Sequence, residues 1–157
     1  MLSKKRAISE SFNLIDRYKQ VTIKENTLSN NNKEYHVTIQ SSSFTYLFKL
    51  SHLYPFKAPL FFINNQIYKE WYRPDNEKIK NIIYHNLYKH QCPCCNTLIC
   101  RWQATITMSM LIEEFKRWRE THLHAYNLLC IQKKMGQLYP IFNSNDIMNH
   151  ITEYLIE

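Results

Sequence analysis

Four of the chain's five cysteines fall in the nine residues from Cys92 to Cys100, and this cluster is where the chain could do chemistry. Asn86 stands eight positions before Cys94, and Trp102 stands eight positions after it. Such a set has two chemical uses. One thiol can be a nucleophile, with the amide placed to steady the charge that acyl transfer creates. Alternatively the thiols together hold a metal. Zinc takes four tetrahedral ligands, usually from two separated Cys-x2-Cys knuckles. The spacing here is Cys-x-Cys-Cys-x4-Cys, with no second knuckle. Cys94 and Cys95 are neighbours, and in an extended segment adjacent side chains point apart. Cys92, Cys94, Cys95 and Cys100, with His85 or His90 in reserve, therefore make a poor closed zinc site. Zinc remains the fallback cofactor. A third reading makes Cys94 a small buried apolar residue. The spacing favours the nucleophile.

A nucleophilic Cys94 would react as thiolate. Lys89, His85, His90 and Arg101 flank it, and nearby positive charge favours that form. Cys92 and Cys95 could gate it as redox partners. Cys130 reads as a core residue of a helix. His122 and His124 lie two apart on that helix, so their rings face different ways and cannot chelate one ion together.

These residues need elements to position them. Residues 4–19 read as a helix, with Ile8, Phe12 and Ile15 at i, i+4 and i+7 as the stripe buried against a sheet. Residues 27–33 are a polar turn. Tyr35, Val37 and Ile39 alternate with polar residues, and Phe44, Tyr46, Phe48 and Leu50 alternate again. These are two antiparallel strands of a meander, joined by a tight loop at residues 41–43. Pro55 and Pro59 cannot sit inside a ladder, so residues 54–59 read as an extended rigid connector. Leu60 to Ile63 is a short buried strand. Residues 64–81 read as an excursion with one short helix near Glu77 to Ile82. Thr105 begins a long helix on which Leu111, Phe115 and Trp118 share a face, and Tyr126, Leu129 and Ile131 extend its apolar content. Gly136 stops it, with Pro140 beyond. A last short helix runs from about Ser144 to Ile156. The order is α+β, with helices on an antiparallel meander.

Composition narrows the function classes. A chain of 157 residues is one domain by the usual prior and can bury a sizeable core. At 45% hydrophobic residues it is a packed globule rather than a disordered chain. Gly136 is the lone glycine, which excludes Gly-rich phosphate loops and dinucleotide fingerprints. The use of Asn, Ile, Lys and Tyr points to an A+T-rich genome, such as that of a large virus or a protist. The first six residues lack the apolar core of a signal peptide, and the longest apolar run, Leu60 to Ile63, cannot cross a bilayer. No membrane association is expected. The chain reads as cytoplasmic or nuclear, where thiols stay reduced. The net charge of +7 reads as a solvated basic surface. Nucleic-acid binding through Lys4-Lys5-Arg6 and Lys116-Arg117-Trp118-Arg119 is the sharper alternative, and an acidic protein partner is the third.

Several separated segments resemble one family, the ubiquitin-conjugating enzymes. Their meander closes with Tyr-Pro-Phe-x-x-Pro, and this chain has Tyr54-Pro55-Phe56-Lys57-Ala58-Pro59. They carry a His-Pro-Asn triplet whose Asn lies eight residues before the catalytic Cys; here Tyr84-His85-Asn86 precedes Cys94 by that distance. They place a Trp eight residues after that Cys, in Trp-Ser-Pro-x-x-Thr-Ile-Ser; here Trp102-Gln103-Ala104-Thr105-Ile106-Thr107-Met108-Ser109 follows. Of the triplet only Asn86 is kept, the residue after the nucleophile is Cys95, and Ala104 replaces a Pro.

The resemblance implies a UBC-like α+β fold: an N-terminal helix, an antiparallel meander, a long crossover helix and a shortened C-terminal helical region. Residues 1–135 would form this domain, with an insertion at 64–81, and a turn and short helix at 136–157 would pack on it. It implies that ubiquitin, or a ubiquitin-like modifier, passes from an activating enzyme to Cys94 as a thioester, and then to a substrate amine. Asn86 would stabilise the oxyanion, a ubiquitin ligase would be a further partner, and Tyr54, Pro55 and Phe56 would form part of a partner surface. Two alternatives stand beside this. One is an inactive UBC-like module that binds ubiquitin or a ligase; the other is a zinc-stabilised basic interaction protein.

Overall fold

A computed structural model of the protein describes residues 2–72, 76–87 and 93–138, with the backbone alone for 86–87, 93–94 and 135–138. The chain divides into two compact units, Met1–Arg73 with Cys94–Lys116, and Pro74–Pro93 with Arg117–Glu157.

The first unit opens with helix α1 (Leu2–Ile15) and continues into strands β1 (Gln20–Thr27), β2 (Lys33–Gln40), β3 (Thr45–Leu50), β4 (Leu60–Ile63) and the two-residue β5 (Gln66–Ile67). The strands form one antiparallel sheet in chain order. The alternation read from the sequence sets its buried face. Tyr35 pairs with Leu50, Val37 with Phe48 and Phe48 with Phe61, and Ile39 pairs with Tyr46, which in turn faces Ile63. All eight side chains are buried. The Phe48 and Phe61 rings stack with centroids 4.2 Å apart. Such pairs add to area burial when rings are offset or edge-on.

The sequence reading lacks β1, and also the two-residue β5, which falls in the expected excursion at 64–81. The apolar content of β1 is only Val21 and Ile23, too little for alternation to register. The Tyr54 to Pro59 segment also differs from expectation. It is a compact pair of turns rather than an extended connector, closed by Tyr54 N–H to the Ser51 carbonyl at 3.0 Å and Phe56 N–H to the Leu53 carbonyl at 2.8 Å. The Tyr54–Pro55 peptide is cis. Proline needs no ladder partner in such a turn, which satisfies the same constraint by folding back.

The buried face of α1 is a second correction. Ile8, Phe12 and Ile15 do not form it. Phe12 is 65% exposed and Ile15 50% exposed, while Ser3, Ala7, Glu10, Ser11 and Leu14 are buried. The small residues let α1 lie closely along β1 and β2. Glu10 must also face inward to meet its partners, described below. Replacing Leu14 by Ala should therefore cost about 2–5 kcal/mol in urea unfolding, whereas Phe12→Ala should stay within about 0.5 kcal/mol. Equal losses would refute this assignment of faces.

A 3-10 helix (Tyr68–Tyr72) follows β5 and buries both its end tyrosines. Helix α2 (Glu77–Ile82) in the second unit lies where a short helix is expected. Asn76 caps it, its side-chain oxygen accepting from Lys78 N–H at 2.9 Å and Ile79 N–H at 3.2 Å.

Helix α3 (Met108–Leu138) begins in the first unit and continues into the second. It starts three residues after Thr105, because Thr107 is the cap: its hydroxyl accepts from Met110 N–H at 3.3 Å. It also runs past Gly136, since a glycine weakens a helix by only about 1 kcal/mol and need not end it. Leu111, Ile112, Phe115 and Trp118 are buried as expected. Beyond them the buried stripe is Ala125 and Leu128; Tyr126 and Ile131 are exposed. Cys130 is half-buried rather than a core residue. The expected helix near 144–156 lies outside the described residues. Among the described residues no helix is long and apolar enough to cross a membrane.

Candidate functional site

Cys94 lies on a 3-10 turn (Pro93–Asn96) in the first unit. The segment after it is held by three independent contacts. Thr97 is buried, its hydroxyl accepts from Cys100 N–H at 3.3 Å, and its carbonyl accepts from Arg101 N–H at 3.1 Å. Leu98 N–H donates to both carboxylate oxygens of Glu114 on α3, at 2.9 and 3.1 Å. Trp102 donates its indole N–H to the Pro55 carbonyl at 2.7 Å, and its ring lies 5.9 Å from that of Tyr54. The turn that carries Cys94 is thus tied to α3 behind it and to the Tyr54–Pro59 corner beside it. Trp102 is an anchor, as its type suggests, but its anchorage is the corner.

Thiols near the turn meet solvent. Cys95 and Cys100 are exposed. So are Leu53 and Phe56 on the corner, Phe56 at 75%. The corner therefore divides its labour: Tyr54 is buried at 1% exposure, while Phe56 projects outward.

Asn86 lies on a π-helical turn (Ile83–Leu87) that directly continues α2, in the second unit. Tyr84 is half-buried and His85 exposed on the same turn. Cys92, Lys89 and His90 lie outside the described residues, as does any zinc site built on Cys92. Among the described residues no three His, Cys, Asp or Glu side chains converge as metal ligands. His122 and His124 are both half-buried, and His122 stacks on Trp118 with ring centroids 6.2 Å apart.

Two acids that the sequence reading passed over organise the first unit. Glu10, only 5% exposed, accepts from Tyr54 O–H at 2.7 Å and from Met108 N–H, the first residue of α3, at 2.7 Å. Arg6 also binds it. A carboxylate at a helix N-terminus satisfies an otherwise unpaired donor and complements the helix dipole. Glu114 holds Leu98 N–H and receives the Tyr68 hydroxyl, which also meets Tyr72. A signal for both was present. Glu114 falls in the stripe Leu111, Phe115, Trp118, and Glu10 lies between Ala7 and Leu14 at helical spacing. An acid on an apolar stripe must be paired.

Burial first, then the Glu10 carboxylate, holds the Tyr54 hydroxyl well above the ordinary phenol range. Burial first, then Tyr72 and Glu114, does the same at Tyr68. The folded values are raised, so this stability is present below the unfolded value near ~10 and is lost as pH rises above it. Between pH 10 and 11.5 the unfolded chain sheds protons that the folded chain keeps. Each of these tyrosines should then remove stability at a slope that rises to about 1.4 kcal/mol per pH unit at the upper end of this range. Urea midpoints taken across this range should fall less steeply for Tyr54→Phe than for the parent. Parallel slopes would refute the assignment.

Basic patches look different in three dimensions. Lys4 pairs with Glu25 at 3.6 Å and Arg6 with Glu10. Lys116 pairs with Glu113 at 2.9 Å, and Trp118 between the arginines is buried. Neither tract offers all its cations to a phosphate backbone. No family model matches the chain, and neither a curated protein nor a solved structure matches it.

Proposed function

We propose that the protein is a divergent ubiquitin-conjugating enzyme with Cys94 as acceptor thiol and Asn86 as oxyanion donor. One observation carries this reading. The Trp102 indole binds the Pro55 carbonyl, so two of the segments that resemble the family, 47 positions apart, meet in one hydrogen bond. A helix, an antiparallel meander in chain order and a long helix after Trp102 support it as well. The exposure of Cys95 on the anchored turn and of Cys100 just after it supports a reactive rather than a core segment.

In this reading the Cys94 thiolate attacks the thioester carbonyl of a modifier carried by an activating enzyme. That enzyme's thiolate leaves, and the modifier is now bonded to Cys94. A substrate amine attacks the new thioester, forming a tetrahedral oxyanion that accepts a hydrogen bond from the Asn86 amide. Collapse expels the Cys94 thiolate, and the amine loses its proton as the amide forms. Arg101, next to the exposed Cys100 in the chain, keeps positive charge close to the thiol segment, although its guanidinium also donates to the Asn96 carbonyl at 2.8 Å.

The test is loading. With an activating enzyme, ATP and ubiquitin, the protein should form an adduct that reducing agent removes. Cys94→Ser should abolish that adduct, while Cys95→Ser and Cys100→Ser should keep it. Failure to load with ubiquitin and with several ubiquitin-like modifiers would end the conjugation reading. Binding of ubiquitin that survives Cys94→Ser without loading would instead favour the inactive module.

A further inference from the structure

β1 is an edge strand eight residues long, paired with β2 on one side and with no strand on the other among the described residues. An edge of this length presents a row of outward N–H and C=O groups, a ready template for another strand. The surface above it is apolar. Four residues separate α1 from β1, and Lys4 of α1 reaches Glu25 of β1 at 3.6 Å, so helix and strand run side by side in opposite directions. From Lys4 to Ile15 the helix advances about 16 Å, and β1 covers the same distance from Gln20 to Glu25. Ile8 and Ile15 share the side of α1 that carries Lys4, by helical spacing. Ile15, which a buried stripe would have hidden, is 50% exposed on this side, and Ile23 of β1 is 39% exposed.

Charge selects the occupant. Glu25, the sole acid in β1, already binds Lys4 and Lys33. Their cations flank the edge together with exposed Lys5, Lys19 and Lys24, against the single exposed Asp16. A net charge of +7 on each copy opposes pairing of the chain with itself. We propose that the β1 edge takes an extended segment of a partner protein in which apolar and acidic side chains alternate. Its backbone continues the sheet. Its apolar side chains lie over Ile23 toward Ile8 and Ile15, and its acids on the opposite face meet Lys24. This surface is separate from the thiol turn and does not depend on conjugation.

An acetylated peptide of four Val-Glu repeats tests this on the full chain. The peptide should slow exchange of the β1 backbone amides that point away from β2, with little change at β3 and β4. Lys24→Glu should weaken its binding by roughly tenfold, because like charges then face one another. Ile15→Ser should weaken it too; both side chains are exposed, so both variants keep the fold. A peptide of four Val-Lys repeats should leave β1 unprotected. The proposal is overturned if the two peptides bind alike, if neither binds, or if sedimentation shows the free protein already paired through β1.

Discussion

If the protein conjugates as proposed, replacing Asn86 with Ala should slow transfer of a modifier from Cys94 to free lysine by on the order of 100- to 1,000-fold. The reasoning is electrostatic. Attack of an amine on a thioester places a negative charge on the carbonyl oxygen, and an amide N–H aimed there stabilises the charge only as it develops. Asn86→Asp should fall as far, because a carboxylate has the shape of the amide without its donor and adds a like charge. The measurement is single-turnover discharge of protein already loaded on Cys94, followed by loss of the reducible adduct. If Asn86→Ala discharges at the parent rate while Cys94→Ser remains unloaded, Asn86 only shapes the turn that follows α2. The functional reading would then have to find another donor, and the exposed His85 on the same turn would be the first to examine.

Glu10→Ala should destabilise the first unit by about 2–5 kcal/mol. Two buried donors lose their acceptor at once, the Tyr54 hydroxyl and the Met108 amide. Arg6 is one-third exposed at its side chain and can return to water, so it adds little to the loss. Against a usual total of about 5–15 kcal/mol, this is a large fraction. Glu10→Gln keeps an acceptor oxygen and should lose about half as much. Urea unfolding checks both. Glu10→Ala within 1 kcal/mol of the parent would mean that water replaces the carboxylate, and that Glu10 does not hold the helix start against the corner.

The consequence for the candidate site is indirect but specific. Glu10 joins α1, the Tyr54 corner and the start of α3, while Glu114 joins α3 to Leu98 after the thiol turn. Trp102 closes the circuit from that turn back to the corner. A change at any of these three residues therefore acts on the setting of Cys94 without touching it.

Local pattern alone settled a good deal. Period-two alternation placed Tyr35, Val37 and Ile39, then Tyr46, Phe48 and Leu50, on one buried face, since a pleated strand leaves no other choice. A short helix is expected near Glu77 to Ile82, where α2 lies, and periodicity placed the first turns of α3 through Leu111, Phe115 and Trp118. What pattern could not settle was competition between two faces of one helix. On α1 the apolar stripe Ile8, Phe12, Ile15 lost to a face of small residues with one acid, because close approach to the sheet and the three partners of Glu10 outweigh the transfer of a few apolar side chains. β1 escaped for a related reason: its pairing with β2 comes from backbone hydrogen bonds, which any sequence can make. Spacing named Cys94, Asn86 and Trp102 from residue type alone. Only the tertiary structure decided that Trp102 binds Pro55 and that Glu114 holds Leu98, because a hydrogen bond across 47 or 16 positions depends on where the chain returns, not on its local order.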